Sequence, residues 1–248
     1  IVGFLMNKKI ELAMGISIVF CAFLLARKGA IFVESHKANT PVCIVIDAGH
    51  GGSDPGKIGI NNAAEKDINL EIALKLKKVF EENNVKVVLT RDSDRGLYSE
   101  EATNKKVEDM QNRCQIIDEA NALFTLSIHQ NSYTTPDIKG AQVFYYGQSQ
   151  KGKELAEFLQ SALIEQVDPQ NHRAAKANES YYLLKKTSTP TVIVECGFLS
   201  NPTEAALLLQ DDYQDKLVDA IYTGVSAYLS KECGYSDNVS TETISTEN

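Results

Sequence analysis

The sequence contains no Cys-x-x-Cys pair, and its five cysteines are an odd number. That excludes a disulfide framework or a structural zinc knuckle as the basis of the fold. Cys43 and Cys196 instead fall in or beside apolar runs, where a thiol is a small core residue. A long basic stripe is also missing: 25 Lys and Arg stand against 33 Asp and Glu, for a formal net charge of -8. Nucleic acid is therefore excluded as a partner, because binding a phosphate backbone needs clustered cations. No internal repeat is visible. What the chain does have is a hydrophobic fraction of 43% over 248 residues, enough for a real core in one large domain or two small ones.

Residues 10–26 form an apolar stretch interrupted by Glu11 and small polar residues, with Lys8 and Lys9 before it and Arg27 and Lys28 after. Its length is near the lower limit for spanning a bilayer, and no clean small-x-small cleavage site follows. Residues 1–30 are thus expected to be an export signal or an N-terminal membrane anchor, placing the protein outside the cytoplasmic membrane. Phe20 before Cys21 fits poorly with lipoprotein processing. Residues 31–40 read as a linker, and residues 233–248, which lack hydrophobic periodicity, as a disordered tail.

Between them, residues 41–232 alternate strand-like and helix-like segments. Strands are expected at 42–47, 85–90, 123–128, 141–146 and 191–195, and helices near 65–82, 105–121, 151–167, 202–210 and 214–230. In the last helix Leu217, Ala220, Ile221, Gly224, Val225, Tyr228 and Leu229 recur at spacings of three and four, giving one core-facing stripe. Such alternation predicts an α/β fold: a single domain with a mostly parallel twisted sheet flanked by helices on both faces.

Three apolar runs stop at a chemically active residue. CIVIDAG leads to His50, FTLSI to His129 and TVIV to Glu195. In a parallel sheet the carboxyl ends of the strands share one edge, which is where ligands bind in open α/β folds. Glu65 opens the helix after the first glycine-rich loop and so returns to the same edge, although an acidic residue also suits a helix N-terminus through the dipole. Two imidazoles and one carboxylate form a ligand set for catalytic zinc with a fourth position open. His50, Glu65 and His129 are the candidate ligands. Glu195 is the candidate proton carrier, taking a proton from water and passing it to a leaving amine.

The segments IVIDAGHGGSDPG, AEKDINLEIALKL, VVLTRDSD, LSIHQNS, GAQVFYYG and IVECGFLSNPTEAALL, in this order, resemble the zinc-dependent N-acetylmuramoyl-L-alanine amidases of bacterial cell walls. The resemblance covers about residues 42–230 and is strongest to the spore-cortex, germination-specific branch, through RCQIIDEAN, AQVFYYG and YQDKLVDAIYTGV. It implies hydrolysis of the amide between the muramic acid lactyl group and L-alanine, with peptidoglycan as partner. It also implies Zn2+ on His50, Glu65 and His129, with Glu195 catalytic. Cys196 stands where the family often has an apolar residue, a near-isosteric change.

Supporting roles are open. Asn131 orients a ligand, contacts substrate or merely ends a strand; Arg113 pairs with a carboxylate near the cleft or solvates a helix face. Asp47 is a candidate for fixing a histidine tautomer, and Asp67 serves the helix N-terminus. Arg173 and Lys176 suit stem-peptide carboxylates or a solvated loop. Two other functions compete: a zinc endopeptidase cutting within the stem peptide, and a non-catalytic wall-binding regulator, against which Glu195 argues. No wall-binding repeat accompanies the domain, so a membrane- or wall-associated activating protein is expected to localise it.

Overall fold

The computed structural model describes residues 14, 16–28 and 42–235. Two compact units divide the chain near residue 40. In the first, residues 16–28 are helical and exposed. No helix among the described residues is long and apolar enough to cross a membrane. The expected linker and residues 236–248 of the expected tail lie outside the described residues, as do most flanks of the apolar stretch.

The second unit is a six-stranded sheet in the order β2-β1-β3-β6-β4-β5. The strands are β1 (Cys43–Ala48), β2 (Lys86–Leu89), β3 (Thr125–Asn131), β4 (Gln142–Tyr145), β5 (Lys176–Ala177) and β6 (Thr191–Phe198). All neighbours run parallel except β4 and β6. The helices are α1 (Glu65–Glu82), α2 (Lys105–Glu119), α3 (Gln150–Gln166), α4 (Tyr182–Lys186), α5 (Pro202–Leu207) and α6 (Asp211–Cys233).

Strand periodicity sorts the two faces. Ile44, Ile46 and Ala48 of β1, Leu126 and Ile128 of β3, and Val192, Val194 and Cys196 of β6 point into the large core with α1, α3 and α6. Val45 packs the other way, against Ile117 of α2 and Leu183 of α4. Asp47, Ser127, His129, Ile193 and Glu195 alternate onto this second face, which two short or polar helices cover thinly. The single domain with helices on both faces is as the alternation predicts.

Three details differ from the sequence expectation. β6 runs on to Phe198 and is buried along its whole length, so Glu195 lies inside the strand rather than at its end; antiparallel pairing with β4, where Gln142 faces Glu195, sustains it. β5 and α4, of two and five residues, are too short to show a periodic signal of their own. The chain beyond residue 232 does not fray at once: α6 ends at Cys233, and the Tyr235 hydroxyl donates to Asn83 O at 2.8 Å.

Candidate metal centre

β1 delivers its polar end into a loop built for close approach. A Cβ on Gly49 would stand 2.3 Å from the His129 imidazole, so only glycine lets the two segments meet. His50 then adopts φ 61°, a left-handed conformation that costs a non-glycine residue on the order of 1 kcal/mol. Two buried arginines hold the backbone there. Arg113 donates to Ala48 O at 2.8 Å and His50 O at 2.6 Å. Arg91 donates to Ala48 O at 2.9 Å and Gly49 O at 3.0 Å, and to Lys66 O at 2.7 Å at the start of α1. The loop and the helix carrying Glu65 are thereby tied together.

His50, Glu65 and His129 converge, with one donor atom from each lying within 4.8 Å of the others. His129 Nδ1 is 2.9 Å from Glu65 Oε1, and His50 Nε2 is 3.3 Å from Glu65 Oε2. Glu65 also accepts from the backbone N–H of Gln130 at 3.1 Å and of Lys57 at 2.8 Å. Burial would raise its pKa, but the two histidines overrule burial and hold it well below the usual carboxylate range. On the far side of the ring, His50 Nδ1 is 3.0 Å from Asp54 Oδ2, the carboxylate–histidine arrangement that orients a metal-binding imidazole. Burial disfavours the charged ring, yet Glu65 and Asp54 raise the His50 pKa above its ordinary value. Two imidazole nitrogens and a carboxylate oxygen, with His50 oriented by Asp54 and Glu65 by two backbone N–H groups, fit a divalent metal with an open coordination position.

Glu195 pairs in register with His129 on the neighbouring strand. Its Oε2 is buried with no hydrogen-bond partner. Burial, with the nearby Glu65 charge, lifts its pKa to about 7 against the pull of the histidines. Beside it stands Tyr181, whose phenol is raised to about 12 by burial and by the Glu195 carboxylate. Tyr181 is positioned by edge-on packing on Phe144 and by its N–H, which donates to Asn178 Oδ1 at 2.9 Å. These groups line a cavity of about 450 Å³ together with Lys57, Lys106 and Leu183.

The other candidates fall in different places. Asn131 lines the same cavity, and its side-chain oxygen accepts from Ser132 N at 2.8 Å. Asp47 makes no hydrogen bond to a histidine. It accepts from Thr90 Oγ1 at 2.7 Å, Ser127 Oγ at 2.6 Å and Arg113 Nη1 at 2.6 Å, because its strand position points it beneath the loop rather than into the cavity. Burial is overruled by Arg113 and the two hydroxyls, and the Asp47 pKa falls to about 2. Arg113 also pairs with Asp109 at 2.6 Å. Arg173 is committed elsewhere, donating to Lys139 O and Gln142 Oε1 and lying over the Phe198 ring. Sequence reasoning missed Asp54, Tyr181 and Arg91. Asp54 had a signal, an acid four residues from His50 in the same glycine-rich loop; Arg91 and Tyr181 had none, since their partners lie far along the chain.

Comparison with known proteins identifies relatives of this chain. A family model described as N-acetylmuramoyl-L-alanine amidase matches residues 44–227. The germination-specific N-acetylmuramoyl-L-alanine amidase of Bacillus subtilis strain 168 is 35% identical over 192 residues, covering 76% of this chain and 80% of that protein. The CwlD amidase from Clostridioides difficile, solved in complex with the GerS lipoprotein, shares 43% identity and a TM-score of 0.75, over 77% of this chain and all of that one. The catalytic domain of CwlV from Bacillus (Paenibacillus) polymyxa var. colistinus follows at 29% identity and a TM-score of 0.65, over 76% and 98%. With this fold, a His-Glu-His cluster and a buried carboxylate beside it, the chain belongs to the N-acetylmuramoyl-L-alanine amidase family.

Proposed function

We propose that the protein is a zinc hydrolase that cleaves the amide between N-acetylmuramic acid and L-alanine in the cortex peptidoglycan of spores, acting outside the cytoplasmic membrane. The observation that carries this reading is the meeting of His50, Glu65 and His129 within 4.8 Å, next to a buried carboxylate with an unpaired oxygen. His50 and His129 would hold zinc through ring nitrogens and Glu65 through one oxygen. Zinc bound there supplies Lewis acidity to the scissile carbonyl and to the attacking water. Glu195 then does the proton work: Oε2, free of other donors, accepts the proton of the water and returns it to the departing nitrogen of L-alanine. Asp54 keeps the His50 ring turned so that Nε2 faces the cavity.

The spore role rests on likeness to the germination-specific relative, and the partner on the lipoprotein seen with the Clostridioides difficile relative. A lipoprotein of the producing cell is proposed to localise or activate this chain, and the N-terminal apolar segment to bring it to the membrane. The test is digestion of spore peptidoglycan by the full chain, with and without chelator. Amidase action releases peptides with a free L-alanine amine, creates no reducing ends and stops on chelation until zinc is restored. Glu195→Gln should keep zinc and lose at least a hundredfold in kcat. Muramic acid left substituted would instead establish an endopeptidase.

A further inference from the structure

The cleft that holds the metal donors is rich in carboxylates: Asp54, Glu65, Asp109 and Glu195 all line it, in a chain of net charge -8. An anionic substrate entering such a cleft meets like charge unless cations stand at its mouth. Two do, Lys57 and Lys106. Lys57 follows the glycine-rich loop, and its backbone N–H is pinned to Glu65 Oε2 at 2.8 Å, which fixes its Cα beside the metal donors. Its side chain is exposed, and its ammonium has no ion pair among the described residues. Lys106 shares one helical face with Asp109 and Met110, at spacings of three and four, and all three line the cleft.

Lys106 also breaks a local rule. It lies in the first turn of α2, where the helix dipole disfavours cations and favours acids. Lys105 beside it is compensated by Glu100 at 2.8 Å. Lys106 makes only a long ion pair, 3.9 Å to Asp54, which His50 also holds, and its side chain stays 76% exposed.

We propose that Lys57 and Lys106 together read a free carboxylate on the stem peptide, making the enzyme selective for stem peptides that are acidic next to L-alanine over those amidated there. This rests on the amidase reading of the same site. Lys57 and Lys106 line the same cleft as Tyr181, Tyr182 and Leu183.

The experiment compares two muramoyl-peptides that differ only in whether the carboxylate of the residue after L-alanine is free or a carboxamide. The wild-type full chain is expected to favour the free acid roughly three- to tenfold in kcat/KM, through KM, and to lose the preference as salt rises. In Lys57→Gln/Lys106→Gln the ratio falls to near one, because KM for the acid rises. Lys78→Gln/Lys86→Gln, which removes the same charge from the outer face of α1 and the edge strand β2, keeps the wild-type ratio. A wild-type ratio of one, or a preference that survives in the cleft double variant, overturns the proposal while leaving the amidase reading intact. Turnover of neither substrate by the wild type overturns the amidase reading and this inference with it.

Discussion

Asp47→Asn tests whether the catalytic loop is held by a buried charge cluster. Asp47 is 1% exposed and takes three hydrogen bonds, from Thr90, Ser127 and Arg113. Its pKa of about 2, against 3.8 for the free side chain, corresponds at about 1.4 kcal/mol per unit to ~2 kcal/mol of stability from ionisation. A carboxamide loses that and also turns one donor face toward a neighbour that is itself a donor. Removing one partner of a buried pair costs about 3–5 kcal/mol when the other is left alone. Arg113 keeps Asp109, so the cost should lie at roughly 2–4 kcal/mol. The assay is urea unfolding of wild type and variant from pH 8 to pH 3. The folded pKa is depressed, so the Asp47 contribution is complete above about pH 4 and drains away as pH falls toward 2. The gap between the two proteins should therefore narrow at the acid end. A variant within 0.5 kcal/mol of wild type at pH 7, or a gap that ignores pH, would refute the reasoning.

Asp54→Ala should weaken metal affinity about 10- to 100-fold while leaving the fold intact, read by competition with a chromogenic chelator, because His50 loses the acceptor that orients its ring. Glu65→Ala should leave the protein without stoichiometric metal after dialysis, since two histidines remain for a three-donor site. Gly49→Ala should damage both metal content and thermal stability: its methyl would overlap the His129 ring, and elemental analysis with a melting curve would show the paired loss.

Periodicity made the fold legible. The stripe on α6 and the apolar runs of β1, β3 and β6 each announce one element, and βα alternation then constrains the sheet. Where local pattern carries no information the reading stopped. β5 and α4 are too short to show a period, and they exist because β4 and the Phe144–Leu184–Ile193 cluster hold them. The four central residues were legible because each interrupts an apolar strand or opens a helix, and topology then brings them together. The supports were not. Arg91 and Arg113 look like ordinary solvated residues until their carbonyl partners some 40 and 65 positions away are known. Asp47 reads as another strand-end polar group, and only alternation across β1 decides that it faces α2 rather than the cavity.

The buried acids of this sheet divide by how many donors each receives. Asp47 has three side-chain donors and Glu65 two backbone N–H groups beside its histidines, and both are held low; Glu195 has only the Tyr181 hydroxyl beside it, with Oε2 left unpartnered, and sits at about 7. A carboxylate kept ionised in a donor-poor place is a cost to the fold, and its sign can be worked out. Glu195 starts from 4.5 when unfolded, so it costs nothing below that pH, and the cost grows until both states are ionised above about 7. The difference of about 2.5 units corresponds to ~3 kcal/mol at pH 8. Glu195→Gln, compared with wild type after metal removal, should therefore be more stable by up to that amount at pH 8 and indistinguishable near pH 4. Stability gained with turnover lost is what a side chain selected for proton transfer rather than packing must show. A variant less stable than wild type at pH 8 would mean that the carboxylate has donors the fold depends on, and the proton-carrier assignment would lose its physical basis.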